Sequence, residues 1–246
     1  MKTIILILVV LLSSCRDDSW VSNYEHDDFV LNGSKCTLVH PTSKPNGEWI
    51  VRPAFIGEFS QVDDSLLAKG YTMAYCDVRN EYGSYKAQEK FYQFYELVRK
   101  KYNLAEKFII EGLSRGGYFA LFFAENHPEC IKKIYIDAPV CDLYSWPLKA
   151  DSLLFEDAKR KWEECGVPLD SIHDYPIKNF RKILDIPLIV VYGDADTTVP
   201  FAENFGRVDI SGHKAISIIR KENVGHHPHS LLPCDTIVNF LMKETE

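Results

Sequence analysis

Lys107-Phe108-Ile109-Ile110-Glu111-Gly112-Leu113-Ser114-Arg115-Gly116-Gly117 is the stretch that decides how this chain folds. An apolar, β-rich run from Lys107 to Glu111 leads into a helical stretch from Arg115 to Asn126, and only Gly112-Leu113-Ser114 stands between them. This places G-x-S-x-G in the strand, turn and helix context in which the motif presents a serine as a nucleophile. Ser114 must then occupy a sharp, strained turn, and glycine at 112 and 116 is expected to let the strand and helix backbones come close. The turn holds the hydroxyl at the carboxyl end of the strand. It also aims the Arg115 N–H, at the start of a helix, toward a developing oxyanion. The alternative is a glycine-rich turn in which Ser114 merely caps the helix.

A serine hydroxyl is a poor nucleophile at neutral pH without a base, so the reading requires an acid and a histidine further along. Both occur just past strand-like runs. Pro187 to Tyr192 leads into Gly193-Asp194-Ala195-Asp196-Thr197-Thr198-Val199-Pro200, and Ala215 to Arg220 leads into Val224-Gly225-His226-His227-Pro228-His229. In a parallel sheet all these positions share the carboxyl edge with Ser114. Asp194 and Asp196 are both available as the acid. The base is His226 or His227, while His229, just after Pro228, is expected to belong to a turn. The cluster is not read as a metal site, because no matched carboxylate or cysteine motif accompanies it.

Outward from the elbow, strands and helices alternate. Short β-rich runs at Phe29 to Leu31, Cys36 to His40 and Trp49 to Phe55 are separated by Asn32-Gly33 and Lys44-Pro45-Asn46-Gly47. Then come a helix from about Gln61 to Lys69, a strand from Tyr71 to Val78, a helix from about Lys86 to Tyr102, the elbow, and a strand from Lys133 to Asp137. After the two strands that precede the acid and histidine loops, a helix from about Asp235 to Lys243 closes the chain. Strands that read as near-continuous apolar runs indicate a mostly parallel sheet covered by helices on both faces, an α/β fold. The segment from about 142 to 184, with one helix from Asp151 to Cys165, breaks the alternation and reads as an insertion over one end of the sheet.

The 246 residues suit one large domain, expected over 28–246. Hydrophobic residues at 46% and charged residues at 26% exclude disorder, collagen and a multi-span membrane protein. With 28 Lys+Arg against 35 Asp+Glu the net charge is −7, and no basic run could track a phosphate backbone, so nucleic acid is not an expected partner. Lys2 precedes an apolar run from Ile4 to Leu12, the length of an export-signal core rather than a membrane span. Six cysteines follow Cys15: Cys36, Cys76, Cys130, Cys141, Cys165 and Cys234. Their wide spacing does not resemble a stapled scaffold, and several are expected to be small core hydrophobes.

Leu12-Ser13-Ser14-Cys15 resembles a bacterial lipoprotein signal. This implies removal of residues 1–14, lipidation of Cys15 as the only link to a membrane, and a tether over residues 15–27. The alternative is a cleaved secretory signal with an incidental cysteine. Arg16-Asp17-Asp18 resembles the acidic tether that some Gram-negative bacteria use to send lipoproteins to the cell surface, so an outer-membrane or surface location is expected.

Trp49-Ile50-Val51-Arg52, Ala74-Tyr75-Cys76-Asp77-Val78, Gly112 to Gly117, Asp137 to Asp142, Gly193 to Asp196 and Gly225 to Leu231 together resemble the α/β-hydrolase superfamily, over about residues 29 to 243. The likeness is narrower still, to a bacterial subgroup similar to dienelactone-hydrolase-like and prolyl-oligopeptidase-like enzymes that includes carbohydrate esterases acting on pectic polysaccharides. The resemblance implies Ser114 as nucleophile, Asp196 as acid and a histidine of the 226–229 cluster as base, with His226 the position selected by the usual Gly-His pattern. Asp194 then braces its loop. The second oxyanion donor should come from Phe55-Ile56-Gly57, where the chain departs from the superfamily's His-Gly pattern. Arg52 either orients a substrate carboxylate or pairs with Asp77 or Glu58. Tyr144 and Trp146 either stack on a sugar ring or pack the insertion.

These residues imply a serine esterase that needs no cofactor and removes methyl or acyl esters from a small-molecule or oligosaccharide substrate. A prolyl-oligopeptidase-like peptidase is the alternative enzyme, disfavoured by the little room left for a propeller domain. A glycan-binding lipoprotein on an inactive scaffold is the alternative without chemistry.

Overall fold

Eight apolar or alternating runs form strands: β1 His26–Leu31, β2 Ser34–Val39, β3 Trp49–Arg52, β4 Thr72–Cys76, β5 Phe108–Leu113, β6 Ile131–Asp137, β7 Leu188–Gly193 and β8 Ile216–Lys221. In the computed structural model, which describes residues 18–244, they join in one sheet of order β1-β2-β4-β3-β5-β6-β7-β8. β1, β2 and β4 pair antiparallel, and every neighbouring pair from β4 through β8 is parallel. The helices are α1 Asp18–Val21, α2 Gln61–Leu67, α3 Tyr85–Tyr102, α4 Arg115–Asn126, α5 Ser152–Glu163, α6 Tyr175–Lys178 and α7 Asp235–Met242.

The central strands read as unbroken apolar runs because both faces are covered. Side chains alternate between two cores. Phe108 and Ile110 of β5, with Leu188 and Val190 of β7, meet Phe91 and Phe94 of α3 and Phe119 and Phe123 of α4 on one face. Ile109, Leu113, Ile189 and Val191 meet Val62 and Leu66 of α2 and Ile237 and Leu241 of α7 on the other. Each such side chain taken from water contributes roughly 1.5–3 kcal/mol. A third cluster fastens the inserted segment: Leu143, Trp162, Leu169 and Ile172 pack on Tyr118 and Phe122 of α4.

The strand and helix expectations hold to within a few residues, with two instructive shifts. β3 stops at Arg52 rather than Phe55, since Pro53 has no N–H to give a ladder and Phe55 has a φ of 59°. β5 continues to Leu113, which brings the serine directly to the strand's end. Part of the stretch expected as tether, 15–27, is docked instead. Trp20 and Val21 are buried, Trp20 Nε1 donates to Asp64 Oδ1 at 2.7 Å, and β1 begins at His26. Two large apolar side chains gain more against α2 than in water, so the chain joins the fold before residue 28. Cys15 and the signal segment lie outside the described residues. The six cysteines after it are free thiols, four of them buried, as their reading as core hydrophobes anticipated. No helix of the described residues is long and apolar enough to cross a membrane.

Candidate active site

Ser114 has φ 51° and ψ −120°, a conformation rarely adopted by a residue with a side chain. Its backbone is held on three sides: the Ser114 N–H donates to Asp137 O at 2.9 Å, and its carbonyl accepts from Gly117 and Val140 at 2.9 and 3.0 Å. The glycines that allow this are Gly112 and Gly117 rather than Gly112 and Gly116. A Cβ on Gly112 would stand 2.6 Å from the Gly116 carbonyl oxygen, and one on Gly117 would stand 2.4 Å from the Pro139 side chain. At Gly116 a Cβ would make only an ordinary 3.5 Å contact with Ala54. The tight approach is therefore between β5, the first turn of α4 and the segment after β6.

The acid and histidine loops meet over this turn. Gly193 ends β7 against the β8 loop so closely that a Cβ would lie 2.2 Å from Val224 O. Past it, Asp196 Oδ1 accepts the N–H groups of Thr198 and Val199 at 2.8 and 2.9 Å. Its Oδ2 is 2.7 Å from His226 Nδ1, and His226 Nε2 is 2.9 Å from Ser114 Oγ. Burial alone would raise the Asp196 pKa. The hydrogen bonds from His226, Val199 and Thr198 outweigh it and hold the carboxyl below its ordinary value. Such a chain fixes the imidazole tautomer and leaves Nε2 ready to take a proton from the serine. Asp194 stays outside the chain and accepts from Arg220 Nε and the Asn223 N–H at 2.9 and 2.7 Å, bracing the two loops.

A cleft of about 370 Å³ opens over Ser114. Phe55, Glu58, Phe59, His226, His227 and His229 share its wall with the serine. His227 is exposed and stacks on Phe59, with ring centres 5.5 Å apart, and makes no contact with Ser114 or Asp196 of the kind His226 makes. His229 is more than a turn residue. It is buried, its Nδ1 lies 2.9 Å from Asp137 Oδ1, and Asp137 Oδ2 accepts the Ser230 N–H at 2.7 Å. Burial lowers the His229 pKa below its ordinary value in spite of the opposing carboxylate. Asp137 received no role from the sequence. The available signal was an acidic residue closing a parallel strand right after the apolar run Ile134-Tyr135-Ile136, since a carboxylate there is buried and must find donors.

Arg115 begins α4, and among the described residues its N–H has no partner, which leaves it open to an oxyanion. Its guanidinium bonds Asn80 Oδ1 at 3.0 Å and lies over the rings of Phe55 and Trp146 at 5.2 and 5.9 Å. Phe55 is in the cleft wall, and Ile56 is buried beside it. Among the described residues no backbone acceptor is paired with the Phe55 or Ile56 N–H either.

Arg52 does not reach a substrate. It is fully buried, ion-paired with Asp63 and Glu111 at 2.6 and 2.5 Å, and donates to the carbonyls of Phe55 and Glu58 at 3.1 and 2.7 Å. Neither Asp77 nor Glu58 is its carboxylate partner. An arginine ending β3 beside β5 points into the second core, where α2 and β5 supply the carboxylates. Burial raises the pKa of Asp63 and of Glu111, and the Arg52 guanidinium opposes that rise in both. The consequence for the site is a loop from Phe55 to Glu58 tied from beneath. Tyr144 stacks on His173, with ring centres 4.0 Å apart, and bonds Asp170, so it packs the insertion. Trp146 stands beside Arg115, under its guanidinium.

Fold and strand-end placement define an α/β-hydrolase. Residues 68–210, more than half of the chain, match the family model described as the prolyl oligopeptidase family, and the chain belongs to that family of serine hydrolases. Solved structures of the same fold include a protein assigned as a dipeptidyl aminopeptidase IV from Bacteroides ovatus, with a TM-score of 0.62 at 14% identity over 88% of this chain. An acylaminoacyl peptidase from Pyrococcus horikoshii gives 0.61 at 16% identity over 82%. A protein assigned as an esterase from Staphylococcus aureus gives 0.59 at 13% identity over 82%. The chain spans 35% and 37% of the two peptidases and 76% of the esterase. No curated protein matches it in sequence.

Proposed function

We propose that this protein is an exported serine esterase that removes methyl or acyl esters from carbohydrate substrates of the pectic class. The observation that carries the reading is the unbroken chain Ser114 Oγ, His226 and Asp196 at 2.9 and 2.7 Å beneath an open cleft. Ser114 attacks the ester carbonyl, His226 Nε2 takes the serine proton and returns it to the leaving alcohol, and Asp196 stabilises the imidazolium. Water then repeats the cycle on the acyl-enzyme. The Arg115 N–H and an N–H of Phe55 or Ile56 receive the oxyanion. The chemistry calls for no cofactor. The sequence resemblance supports the carbohydrate substrate, and the lipoprotein-like Leu12-Ser13-Ser14-Cys15 supports export with a lipid anchor at an outer membrane or cell surface.

The family match favours a second reading, a peptidase acting on short peptides. The discriminating experiment measures methanol and acetate released from esterified pectin and its oligosaccharides by the parent protein and by Ser114→Ala, with proline- and alanine-linked chromogenic amides alongside. Release by the parent alone supports the esterase. Amide cleavage at rates rivalling esters replaces it with the peptidase. Failure of a folded sample to react with a fluorophosphonate at Ser114 leaves only a binding protein.

A further inference from the structure

Acyl transfer uses one imidazole, yet three face one another at the cleft. The ring centres of His226, His227 and His229 form a nearly equilateral triangle with sides of 4.8, 5.0 and 4.9 Å. One ring nitrogen from each lies within 4.8 Å of the others. Two of the rings are held through Nδ1 by buried carboxylates, His226 by Asp196 at 2.7 Å and His229 by Asp137 at 2.9 Å. A proton shared with a carboxylate at Nδ1 leaves Nε2 as the lone-pair nitrogen, and this carboxylate support is what orients histidines and raises their basicity in metal centres. The matched carboxylates that the sequence did not reveal are thus supplied by the fold, from the end of β6 and the loop after β7. Glu58 shares the same cleft wall.

From this geometry we infer a binding site for a divalent transition metal of the zinc class, formed by His226, His227 and His229, whose occupation silences Ser114. Zinc binds imidazole nitrogen at about 2.0–2.1 Å, which sets tetrahedral ligand nitrogens about 3.4 Å apart. Closing from separations within 4.8 Å to that spacing takes small side-chain rotations, for which the exposed His227 has the most freedom. Binding exchanges waters of the metal for three imidazole lone pairs. No covalent bond of the protein changes, and Ser114 Oγ loses its acceptor at His226 Nε2. The silencing rests on the esterase reading; the binding does not.

The test takes the purified full chain, stripped with chelator, and titrates Zn2+ against hydrolysis of an aryl ester. Co2+ absorption in Ser114→Ala reports binding without activity. Bound metal is expected to abolish hydrolysis reversibly, with recovery on adding EDTA, and Co2+ to show d–d bands without thiolate charge transfer. His227→Ala and Asp137→Asn should each weaken binding about 10–100-fold. His229→Gln should do the same, and because His229 is buried the exposed His227 keeps the test decisive should that variant not fold. Metal affinity unchanged in His227→Ala, a thiolate spectrum, or no binding overturns the site. A protein that binds Co2+ through these histidines but hydrolyses no ester keeps the site and removes the catalytic reading. Hydrolysis that persists with Zn2+ bound overturns the silencing.

Discussion

Asp196–His226 and Asp137–His229 are the same chemical pair set at neighbouring strand ends. Both join a carboxylate to Nδ1, at 2.7 and 2.9 Å, and both carboxylates accept backbone N–H groups. They differ in what the second ring nitrogen meets. His226 Nε2 faces Ser114 Oγ at 2.9 Å, whereas the His229 ring lies against the Phe59 ring and the other two imidazoles. Asp137 also has Lys221 Nζ at 3.5 Å. A carboxylate–imidazole pair is therefore not a catalytic device in itself. On the proposed esterase reading it becomes one where a strained turn brings a hydroxyl to the free nitrogen.

The largest effects should fall on the first pair and its nucleophile. Ser114→Ala and His226→Ala are each expected to lower ester kcat/KM by about 10^4–10^6-fold with the fold intact, as steady-state rates and circular dichroism would show. Near-normal rates in His226→Ala, with loss in His227→Ala instead, would move the base to the neighbouring ring. Asp196→Asn should cost about 10^4-fold, because an amide favours the wrong imidazole tautomer.

On the second pair the loss shifts from rate to stability. Asp137→Asn leaves the buried His229 without its anionic partner and should lower unfolding free energy by about 1–3 kcal/mol in denaturant titrations, with a far smaller change in kcat than Asp196→Asn. Equal rate losses in the two variants would erase the distinction drawn between the pairs.

The smallest effect is in pH dependence. Burial of His229, and for the exposed His227 the partial desolvation of its ring in the cleft wall together with the two neighbouring imidazoles, hold their folded-state pKa below 6.5, so the unfolded chain binds protons that the folded chain refuses. Their contribution to stability is present above 6.5 and is lost as pH falls through the folded values. The Asp196 carboxyl, held below 3.8, contributes above that pH and loses its share at still lower pH. Melting temperatures followed downward from neutrality should fall in these two stages, and His229→Gln should flatten the first.

The elbow was legible because its information is local. Strand, Gly112, Ser114 and the start of α4 are adjacent in sequence, and a turn that tight admits few residues. Even there, Gly117 matters for a reason no local pattern carries: Pro139 arrives from the end of β6. Arg52 shows the opposite limit. A lone arginine after an apolar strand is equally consistent with a substrate clamp and a buried ion pair. Only the packing of α2 over the sheet brings Asp63 to it beside Glu111 of β5. Trp20 and Val21 looked like tether because polar neighbours surround them in sequence, and docking against Asp64 and the second core was invisible there.

By itself the sequence determined the alternation of strands and helices, the parallel sheet and the order of serine, acid and histidine. Hydrophobic period and glycine placement act over a few residues and need no tertiary context. Only the tertiary structure decided that Asp137 holds His229 and that Arg52 ties the Phe55 loop from within. Those outcomes depend on distances between strand ends far apart in the chain, which are set by how the sheet twists and how closely its loops pack.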